Sequence, residues 1–232
     1  MDINFDAAET FRGTRIFRQA SNLAYAYETS FAAVDADGAP NAYHPNDIGL
    51  DALANAGYPH SSWWRDVLVP DPNHPSRPYV QPGGEHQGYF VSMTSLRAPQ
   101  GERTDPDTYV DATRFPYVVL PTGFGGPNMG VVAKPGDVGI ATHLNSLRTS
   151  TFIVGDSGGG TDAKLGEGSI ALFIYLGGQA PNPRNGRGVP AGRIQYIIFP
   201  GSRKSGAGIW PRTNQDIHDQ VMDLVANTPG IT

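Results

Sequence analysis

Residues 151–176 read TFIVGDSGGGTDAKLGEGSIALFIYL, two apolar segments joined by a glycine-rich loop. The segment 152–154 predicts a buried strand, and residues 170–176 predict a second apolar strand. Glycine has no Cβ, so a loop this rich in glycine lets a ligand approach the backbone closely. Asp156 and Glu167 stand near the two ends of the loop, which makes them a candidate acid/base pair. A flexible hairpin with solvated charges is the alternative interpretation.

The composition is that of a globular domain rich in turns. Hydrophobic residues make up 39% of the 232 residues, enough for a core, and the 29 glycines and 20 prolines predict many turns and loops. The formal net charge is -5 and the Lys and Arg residues are scattered, which argues against the clustered basic face that nucleic-acid binding requires. We therefore expect a single domain over residues 1–232, no nucleic-acid partner, and a monomer.

Several kinds of chemistry and location are excluded by what the sequence lacks. The chain has no cysteines, which rules out disulfides, thiolate catalysis and cysteine zinc sites. No apolar run is long enough to span a bilayer, so no membrane partner is expected. The N-terminal sequence MDINFDAAETFRG has no basic region followed by an apolar core, so no signal peptide is predicted in this chain. A cytosolic protein and a mature secreted form are both compatible with this start.

Short apolar runs separated by long turns predict a mainly β (α+β) protein, which we expect to be a compact β-barrel. The predicted strands outside the central stretch are 14–17, 88–96, 116–120, 137–142 and 194–200. Two helices are predicted at the margins of the barrel. A short helix near 48–56 would end at Gly57, and a C-terminal helix over 214–227 would begin after its cap, Thr213.

Two further segments supply candidate binding residues. Asp35 and Asp37 lie in the turn-forming stretch DADGAPN and would project to the same side of an extended backbone, although a solvated turn is the alternative. Trp63 and Trp64 lie in the proline-rich stretch 59–82, a long loop of the kind that covers a surface or lines a cleft. Their indole rings would stack on a sugar ring, or one of them would cover the core instead.

Three motif matches are rejected. GDSGG at 155–159 matches the nucleophile segment of chymotrypsin-like serine proteases, but His44 does not lie in the Ala-Ala-His-Cys segment of that family and no disulfide framework exists. Residues 156–167 have the length of an EF-hand loop but carry glycine at the inner ligand positions. The histidines show no metal-binding spacing, so neither a metal nor a cofactor is expected.

Seven segments resemble a known family in the order in which that family has them. The most specific is AVDADGAPNAYHP at 33–45, and VGDSGGGTDAKLGEGSIAL at 154–172 contains the acidic loop. The others are GLDALANAG (49–57), GYFVSMTSL (88–96), YVDATRFPYVVLP (109–121), GDVGIA (136–141) and IQYIIFPGS (194–202). Together they are similar to the glycoside hydrolase family 75 chitosanases, in particular the bacterial branch, and they cover most of the chain from 31 to 202.

This resemblance implies a catalytic domain that cleaves β-1,4-linked glucosamine polymers internally, with inversion. In the family two carboxylates in a segment of the form G-D…G-E-x-S carry out the reaction, and they match Asp156 and Glu167 here. The linker SGGGTDAKL departs from the family, because it is richer in glycine than the Asp-x-Gly-Pro form of the bacterial branch. Asp162 is therefore a second candidate for the catalytic Asp. Which carboxylate is the acid and which is the base is open.

The chemistry of such a substrate accounts for these residue types. Glucosamine has no N-acetyl oxygen to act as an internal nucleophile, so a protein base is needed, and inversion leaves room for water between carboxyls about 6.5–9.5 Å apart. The ammonium group of the substrate opposes the developing positive charge, and Asp35 and Asp37 are candidates to hold it. Glu167 precedes the apolar residues 170–172 and is expected to have the raised pKa. The other candidates for binding substrate are Tyr43, His44, Trp63, Trp64 and Lys164.

Two other functions stay open. The turn V-G-D-S-G resembles that of double-psi β-barrels, in which a lytic transglycosylase carries its catalytic Asp, so cleavage of peptidoglycan or another amino-sugar polymer is one alternative. The other is a non-catalytic carbohydrate-binding protein that keeps the tryptophans and the acidic turn. The resemblance to chitosanases implies an extracellular mature form whose partner is chitosan or a related amino-sugar polysaccharide.

Overall fold

One nine-stranded β-sheet dominates the computed structural model, which describes residues 2–232. Its strands are β1 (Asp6–Phe11), β2 (Thr14–Arg18), β3 (Tyr25–Thr29), β4 (Ala33–Asp35), β5 (Tyr117–Pro121), β6 (Val138–His143), β7 (Thr149–Gly158), β8 (Glu167–Ser169) and β9 (Ile194–Phe199). They lie side by side in the order β1-β2-β3-β9-β6-β7-β5-β8-β4. The prediction of a mainly β fold is confirmed.

The sheet is open, so the predicted β-barrel is wrong, and with it the double-psi arrangement. Within residues 2–232 the edge strand β1 pairs only with β2, and the edge strand β4 pairs only with β8. A barrel would need a ladder between these two edges. β4 is only three residues long before the chain turns away after Asp35, so it offers too little backbone for a second ladder.

The central strands of the sheet are covered on both faces. β5, β6 and β9 are buried along their whole length, which explains why their sequences are nearly continuous apolar runs. Helix α2 (Asn214–Asn227) packs against β6 and β7, and helix α1 (Ile170–Tyr175) packs against β4, β5, β7 and β8. Within this core the rings of Tyr27 and Tyr196 stack with their centroids 4.9 Å apart.

The C-terminal helix forms where it was predicted, whereas α1 replaces a predicted strand. The Thr213 hydroxyl accepts a hydrogen bond from the Asp216 N–H at 3.0 Å, and the Asp216 carboxylate accepts one from the Thr213 N–H at 3.1 Å. α1 is too short and too apolar for periodicity to separate it from a strand. It begins where Ser169 Oγ accepts a hydrogen bond from the Leu172 N–H at 3.1 Å. Neither helix of residues 2–232 has the length and apolar character needed to cross a membrane.

Residues 42–112 are more irregular than the sequence predicts. The predicted helix near 48–56 is a single 3₁₀ turn, Leu53–Ala56, which ends as expected at Gly57 with a φ of +73°. The predicted strand 88–96 forms only isolated bridges, at Phe90 and Ser92. Prolines cannot donate to a ladder and recur throughout this part of the chain, so its extended pieces pair only briefly with one another.

A β-bulge at Gly155 positions the following residue, Asp156. Two consecutive residues of β5 pair with Val154 and Asp156, so Gly155 is the extra residue on β7. A Cβ atom at Gly155 would lie 2.6 Å from Cγ of Tyr117, which is closer than packed atoms approach. Only glycine therefore leaves room for the buried Tyr117 ring at this position. The bulge thereby sets the positions of Tyr117 and Asp156, two residues of the site described next.

Candidate active site

Short parallel strands bring acidic residues from distant parts of the chain together. β4 and β8 pair in parallel with Ala33 opposite Glu167. Because residues two apart on a strand share a face, Asp35 lies on the same side of the sheet as Glu167. Asp156 approaches from β7, and one oxygen each of Asp35, Asp37 and Asp156 lies within 4.8 Å of the other two.

An open cleft of about 580 Å³ is lined by Asp35, Asp37, Asp51 and Glu167, and Asp156 lies beside these acids without being one of the lining residues. We call the five carboxylates of this region, Asp35, Asp37, Asp51, Asp156 and Glu167, the acidic cluster. In the described part of the chain none of them forms an ion pair with Lys or Arg. The other polar or aromatic residues that line the cleft include Tyr43, Asn55, Trp63, Arg184 and Asn185.

Asp156 is held through one of its two carboxylate oxygens. Oδ1 accepts hydrogen bonds from the Ser95 N–H at 2.9 Å, the Ser95 hydroxyl at 2.5 Å and the Ser157 N–H at 2.7 Å. Burial raises the pKa of Asp156, and these three hydrogen bonds oppose that rise because they stabilise the charged form. Within residues 2–232 no donor reaches Oδ2, which leaves this oxygen available for other chemistry.

Glu167 has a different environment from Asp156. Its carboxylate accepts no hydrogen bond from residues 2–232, and its side chain is half-buried at the cleft. Burial, followed by the negative charges of Asp156 and Asp51, raises the pKa of Glu167 to about 7. Glu167 therefore keeps its proton close to neutral pH, whereas an ordinary solvated Glu has lost it.

Asp35 is buried, and protein groups contact both of its carboxylate oxygens. Oδ1 accepts from the Asp37 N–H at 2.9 Å, and Oδ2 lies 3.0 Å from the Tyr117 hydroxyl. That hydroxyl also lies 2.9 Å from the Asp37 carbonyl oxygen, yet it has one proton to donate. Both contacts are satisfied if Asp35 is protonated and donates to Tyr117. Burial, followed by the charges of Glu167 and Asp156, raises the pKa of Asp35 well above its usual value.

Asp37 is the more accessible of the two acids of this turn. The Tyr43 hydroxyl donates to Asp37 Oδ1 at 2.9 Å and lies 3.3 Å from Asp51 Oδ2, while the Ser92 hydroxyl donates to the same Asp37 oxygen at 3.0 Å. Burial, followed by the charge of Asp35, raises the pKa of Asp37 well above its usual value. Asp35 is buried and protein groups contact both of its oxygens, so the half-buried Asp37 is the better placed of the pair to contact a cationic ligand.

Arg184 links the loop at 183–186, which lines the cleft, to the neighbouring loop at 47–49. Its guanidinium donates to the Asp47 carbonyl at 2.7 Å and to the Gly49 carbonyl at 3.0 and 3.1 Å. It also forms an ion pair with the Asp47 carboxylate at 3.2 Å. Nε and Nη2 make these bonds, so Arg184 acts here as a link between loops; its charge lowers the pKa of Asp51 against the larger effect of burial, but it forms no ion pair with the acidic cluster.

No protein-family model matches this chain, and no curated protein is significantly similar to it. The roles of the cleft residues are therefore argued from their geometry. The structure also argues against a serine-protease site at GDSGG (155–159). The Ser157 hydroxyl has Ser95 Oγ as its partner at 3.0 Å, whereas His44 packs against Tyr89.

The structure brings only some of the predicted binding residues to the cleft. Trp63 lines it and is 45% exposed, so its ring is free to stack on a sugar. Trp64 does not line the cleft: it is 4% exposed and packs edge-on against Tyr58 in the core, the alternative that the sequence left open for one of the two tryptophans. The indole of Trp64 is large enough to anchor this irregular loop in the core, together with Leu68 and Val69, which are also buried.

His44 and Lys164 are not among the residues that line the cleft. The His44 ring packs at 4.8 Å from the Tyr89 ring and accepts a hydrogen bond from the Asn46 N–H at 3.0 Å. These contacts stabilise the local turn and do not involve the cleft. Lys164 is exposed, with its ammonium 5.8 Å from the centre of the Phe31 ring. Asp162 is exposed on the glycine-rich loop, so the acidic cluster contains Asp156 and not this second candidate.

Three residues of the site were missed from the sequence. Asp51 lies in GLDALANAG, where its Oδ1 accepts from the Ala52 N–H at 2.6 Å and from Asn55 at 2.8 Å. Asp51 lies inside the predicted helix near 48–56, where nothing in the sequence distinguishes it from a solvated acid on a helix surface. Ser95 lies in the segment predicted as strand 88–96 and Arg184 in a loop without a recognisable motif, and only tertiary contacts place either residue at the site.

Proposed function

We propose that this protein is a chitosanase, an endo-acting glycoside hydrolase that cleaves β-1,4-linked glucosamine polymers with inversion. The observation that supports this most strongly is a pair of neighbouring carboxyls in unlike surroundings. Asp156 accepts three hydrogen bonds at one oxygen, whereas Glu167 accepts none within residues 2–232 and has a pKa of about 7. Such a pair supplies the ionised and the protonated carboxyl that glycoside hydrolysis requires. The family resemblance of the segments around both residues supports the same substrate.

In this mechanism Glu167 is the general acid and Asp156 is the general base. Glu167 donates its proton to the glycosidic oxygen as the bond between that oxygen and the anomeric carbon breaks. Asp156 takes a proton from a water molecule whose oxygen attacks the anomeric carbon from the opposite face. The new reducing end has the inverted configuration. Glu167 is then ionised and Asp156 protonated, so both exchange protons with solvent before the next turnover.

The charge of the cleft supports a cationic sugar as the substrate. The acids of the cluster have raised pKa values and no Lys or Arg ion-pair partner in the described chain, so a bound ammonium group would favour their ionised forms and be held by them. An N-acetylated sugar carries no such charge. Asp37, which lines the cleft and is half-buried, is the acid that we assign to this contact. We further propose that the protein acts outside the cell as a monomer on a polysaccharide.

The first experiment is a reducing-end assay on soluble chitosan, with chitin, peptidoglycan and casein as parallel substrates. We expect the wild type to cleave chitosan, and Asp156→Asn to lower the rate by about 10²-fold or more because the base is lost. Proton NMR of the first product should show the inverted anomer. Cleavage of peptidoglycan in place of chitosan would instead indicate the lytic alternative, and binding of chitosan without cleavage would indicate a carbohydrate-binding protein.

Trp63→Ala is expected to raise KM for chitosan about tenfold and to change kcat little, because a stacked sugar would lose a contact of about 1.4 kcal/mol. A Cβ added at Gly57 would lie 2.8 Å from the Trp63 ring, so this glycine makes room for the indole, which stays 45% exposed at the cleft. Steady-state kinetics on chitosan oligomers measure the effect. Tyr175→Ala is the matched control, since Tyr175 is 54% exposed but is not among the residues that line the cleft. Equal KM values for the two variants would contradict the stacking role.

A further inference from the structure

We infer that Ser95 is a positioning residue that keeps Asp156 ionised and leaves Asp156 Oδ2 as the reactive oxygen. The inference rests on the proposed function, because it concerns the group that supports the proposed general base. Ser95 lies in the irregular part of the chain, 61 residues before Asp156 in sequence. Its role therefore depends on how this loop docks on β7.

Ser95 supplies two of the three donors that Asp156 Oδ1 receives. Its N–H lies 2.9 Å and its hydroxyl 2.5 Å from that oxygen, and the third donor is the Ser157 N–H at 2.7 Å. Three donors on one oxygen favour the ionised carboxylate and fix its orientation. Oδ2 receives no donor from residues 2–232. A proton taken from water would therefore be accepted at Oδ2.

The Ser95 hydroxyl is itself oriented by Ser157. Ser157 Oγ lies 3.0 Å and the Ser157 N–H 3.1 Å from Ser95 Oγ. The Ser95 hydroxyl has one proton, and the short contact to Asp156 uses it in preference to the Ser157 carbonyl at 3.3 Å, so Ser157 is the donor in these two contacts with Ser95. A chain of donors that runs from Ser157 through Ser95 to the carboxylate strengthens the last hydrogen bond in it.

Backbone contacts hold the Ser95 segment in place independently of the Ser95 side chain. The Leu96 N–H donates to the Gly155 carbonyl at 2.9 Å, beside the bulge that positions Asp156. The Thr94 hydroxyl donates to the Leu96 carbonyl at 2.7 Å and accepts from the Val110 N–H at 3.0 Å. Removal of the Ser95 hydroxyl should therefore leave the loop docked, and a change in Asp156 would report the lost hydrogen bond.

Carbon-13 NMR of protein labelled at the Asp carboxyl carbons measures the ionisation of Asp156 without turnover. The resonance of Asp156 is identified by its loss in Asp156→Asn. We expect Ser95→Ala to move the titration midpoint of Asp156 up by about one pH unit. Ser95→Thr, which keeps a hydroxyl, should titrate like the wild type. Ser157→Ala is the matched control: its lost hydroxyl touches Ser95 and not the carboxylate, so the shift should be less than half as large. An Asp156 midpoint in Ser95→Ala equal to that of the wild type overturns the inference.

The pH profile of kcat/KM on chitosan gives the second readout. We expect the acidic limb of Ser95→Ala to move up by the same amount as the NMR midpoint, with recovery in Ser95→Thr. A lower kcat with an unmoved acidic limb would mean that Ser95 is merely structural, and would overturn the assignment. If the wild type does not cleave chitosan, the proposed function fails, and the NMR titration still decides whether Ser95 controls the ionisation of Asp156.

Discussion

Replacement of Glu167 by Gln is expected to lower kcat on soluble chitosan by about 10³-fold, within the range of general acid catalysis. Gln has nearly the shape of Glu but carries no proton to give to the leaving oxygen. Because the Glu167 carboxylate accepts no hydrogen bond from residues 2–232, the amide displaces no protein donor, and the cleft should keep its shape. Affinity for chitosan oligomers should therefore change by no more than about twofold. The loss would then lie in the chemical step.

Single-turnover kinetics and calorimetric titration with a glucosamine hexamer separate the two effects. Asp162→Asn is the matched control, since Asp162 is an exposed acid on the same glycine-rich loop and its loss should leave kcat unchanged. In the wild type the basic limb of kcat/KM should fall with a pKa of about 7, the value of Glu167, and this limb should vanish from the residual activity of Glu167→Gln. Turnover by Glu167→Gln at the wild-type rate would remove Glu167 from the mechanism.

The parts of this fold that follow from local physics could be predicted from the sequence. Thr213 with Asp216 three residues later encodes a helix start, and the structure has the capping box at this position. Gly57 stops its turn in the left-handed region as expected. The strands at 116–120, 137–142 and 194–200 were recognisable because each is a nearly continuous apolar run. In all of these the signal and the structure that it determines lie within a few residues of each other.

What could not be predicted depends on contacts between distant segments. Whether the sheet closes is decided by its two edges, β1 and β4, and no local pattern encodes that pairing. Trp63 and Trp64 are adjacent residues of the same type, yet Trp63 lines the cleft and Trp64 is buried in the core. Asp51 and Ser95 belong to the site only because their loops dock beside β7 and β8. The sequence therefore predicted the acids of the glycine-rich loop but not their surroundings.

Burial of the acids of the cluster should also make the free energy of unfolding depend strongly on pH. The pKa values of Asp35, Asp37, Asp156 and Glu167 are all raised in the folded protein, chiefly by burial. The folded state therefore binds protons more tightly than the unfolded chain does. The stability contributed by these groups is complete below the pKa of the unfolded chain, near 4, and is lost as the pH rises through the folded values. For Glu167 the loss falls between pH 4.5 and about 7.

We therefore expect the free energy of unfolding to fall between pH 5 and pH 8, and Glu167→Gln to be more stable than the wild type at pH 8 but not at pH 5. One pKa unit corresponds to about 1.4 kcal/mol, so the gain at pH 8 is at most about 3 kcal/mol, reduced by the partial exposure of Glu167. The acids whose pKa is lowered, such as Asp216 and Asp71, titrate below this window and leave it undisturbed.

Urea unfolding at pH 5 and pH 8 measures both quantities, with Asp162→Asn as the control that should follow the wild type. Asp35→Asn should show the same pH-dependent gain, because a neutral amide can keep the contact with the Asp37 N–H through its oxygen while removing a buried charge. If the free energy of unfolding of the wild type is constant or rises from pH 5 to pH 8, ionisation of the acidic cluster does not destabilise the folded protein, and this prediction is wrong. If Glu167→Gln is more stable than the wild type at pH 8, repulsion among the acids of the cluster destabilises the folded wild-type protein. The protein would then tolerate this repulsion in order to keep Glu167 protonated and Asp156 ionised for the reaction. Such a cost is expected where acids are kept for reactivity, since neutral residues of the same size would make the fold more stable.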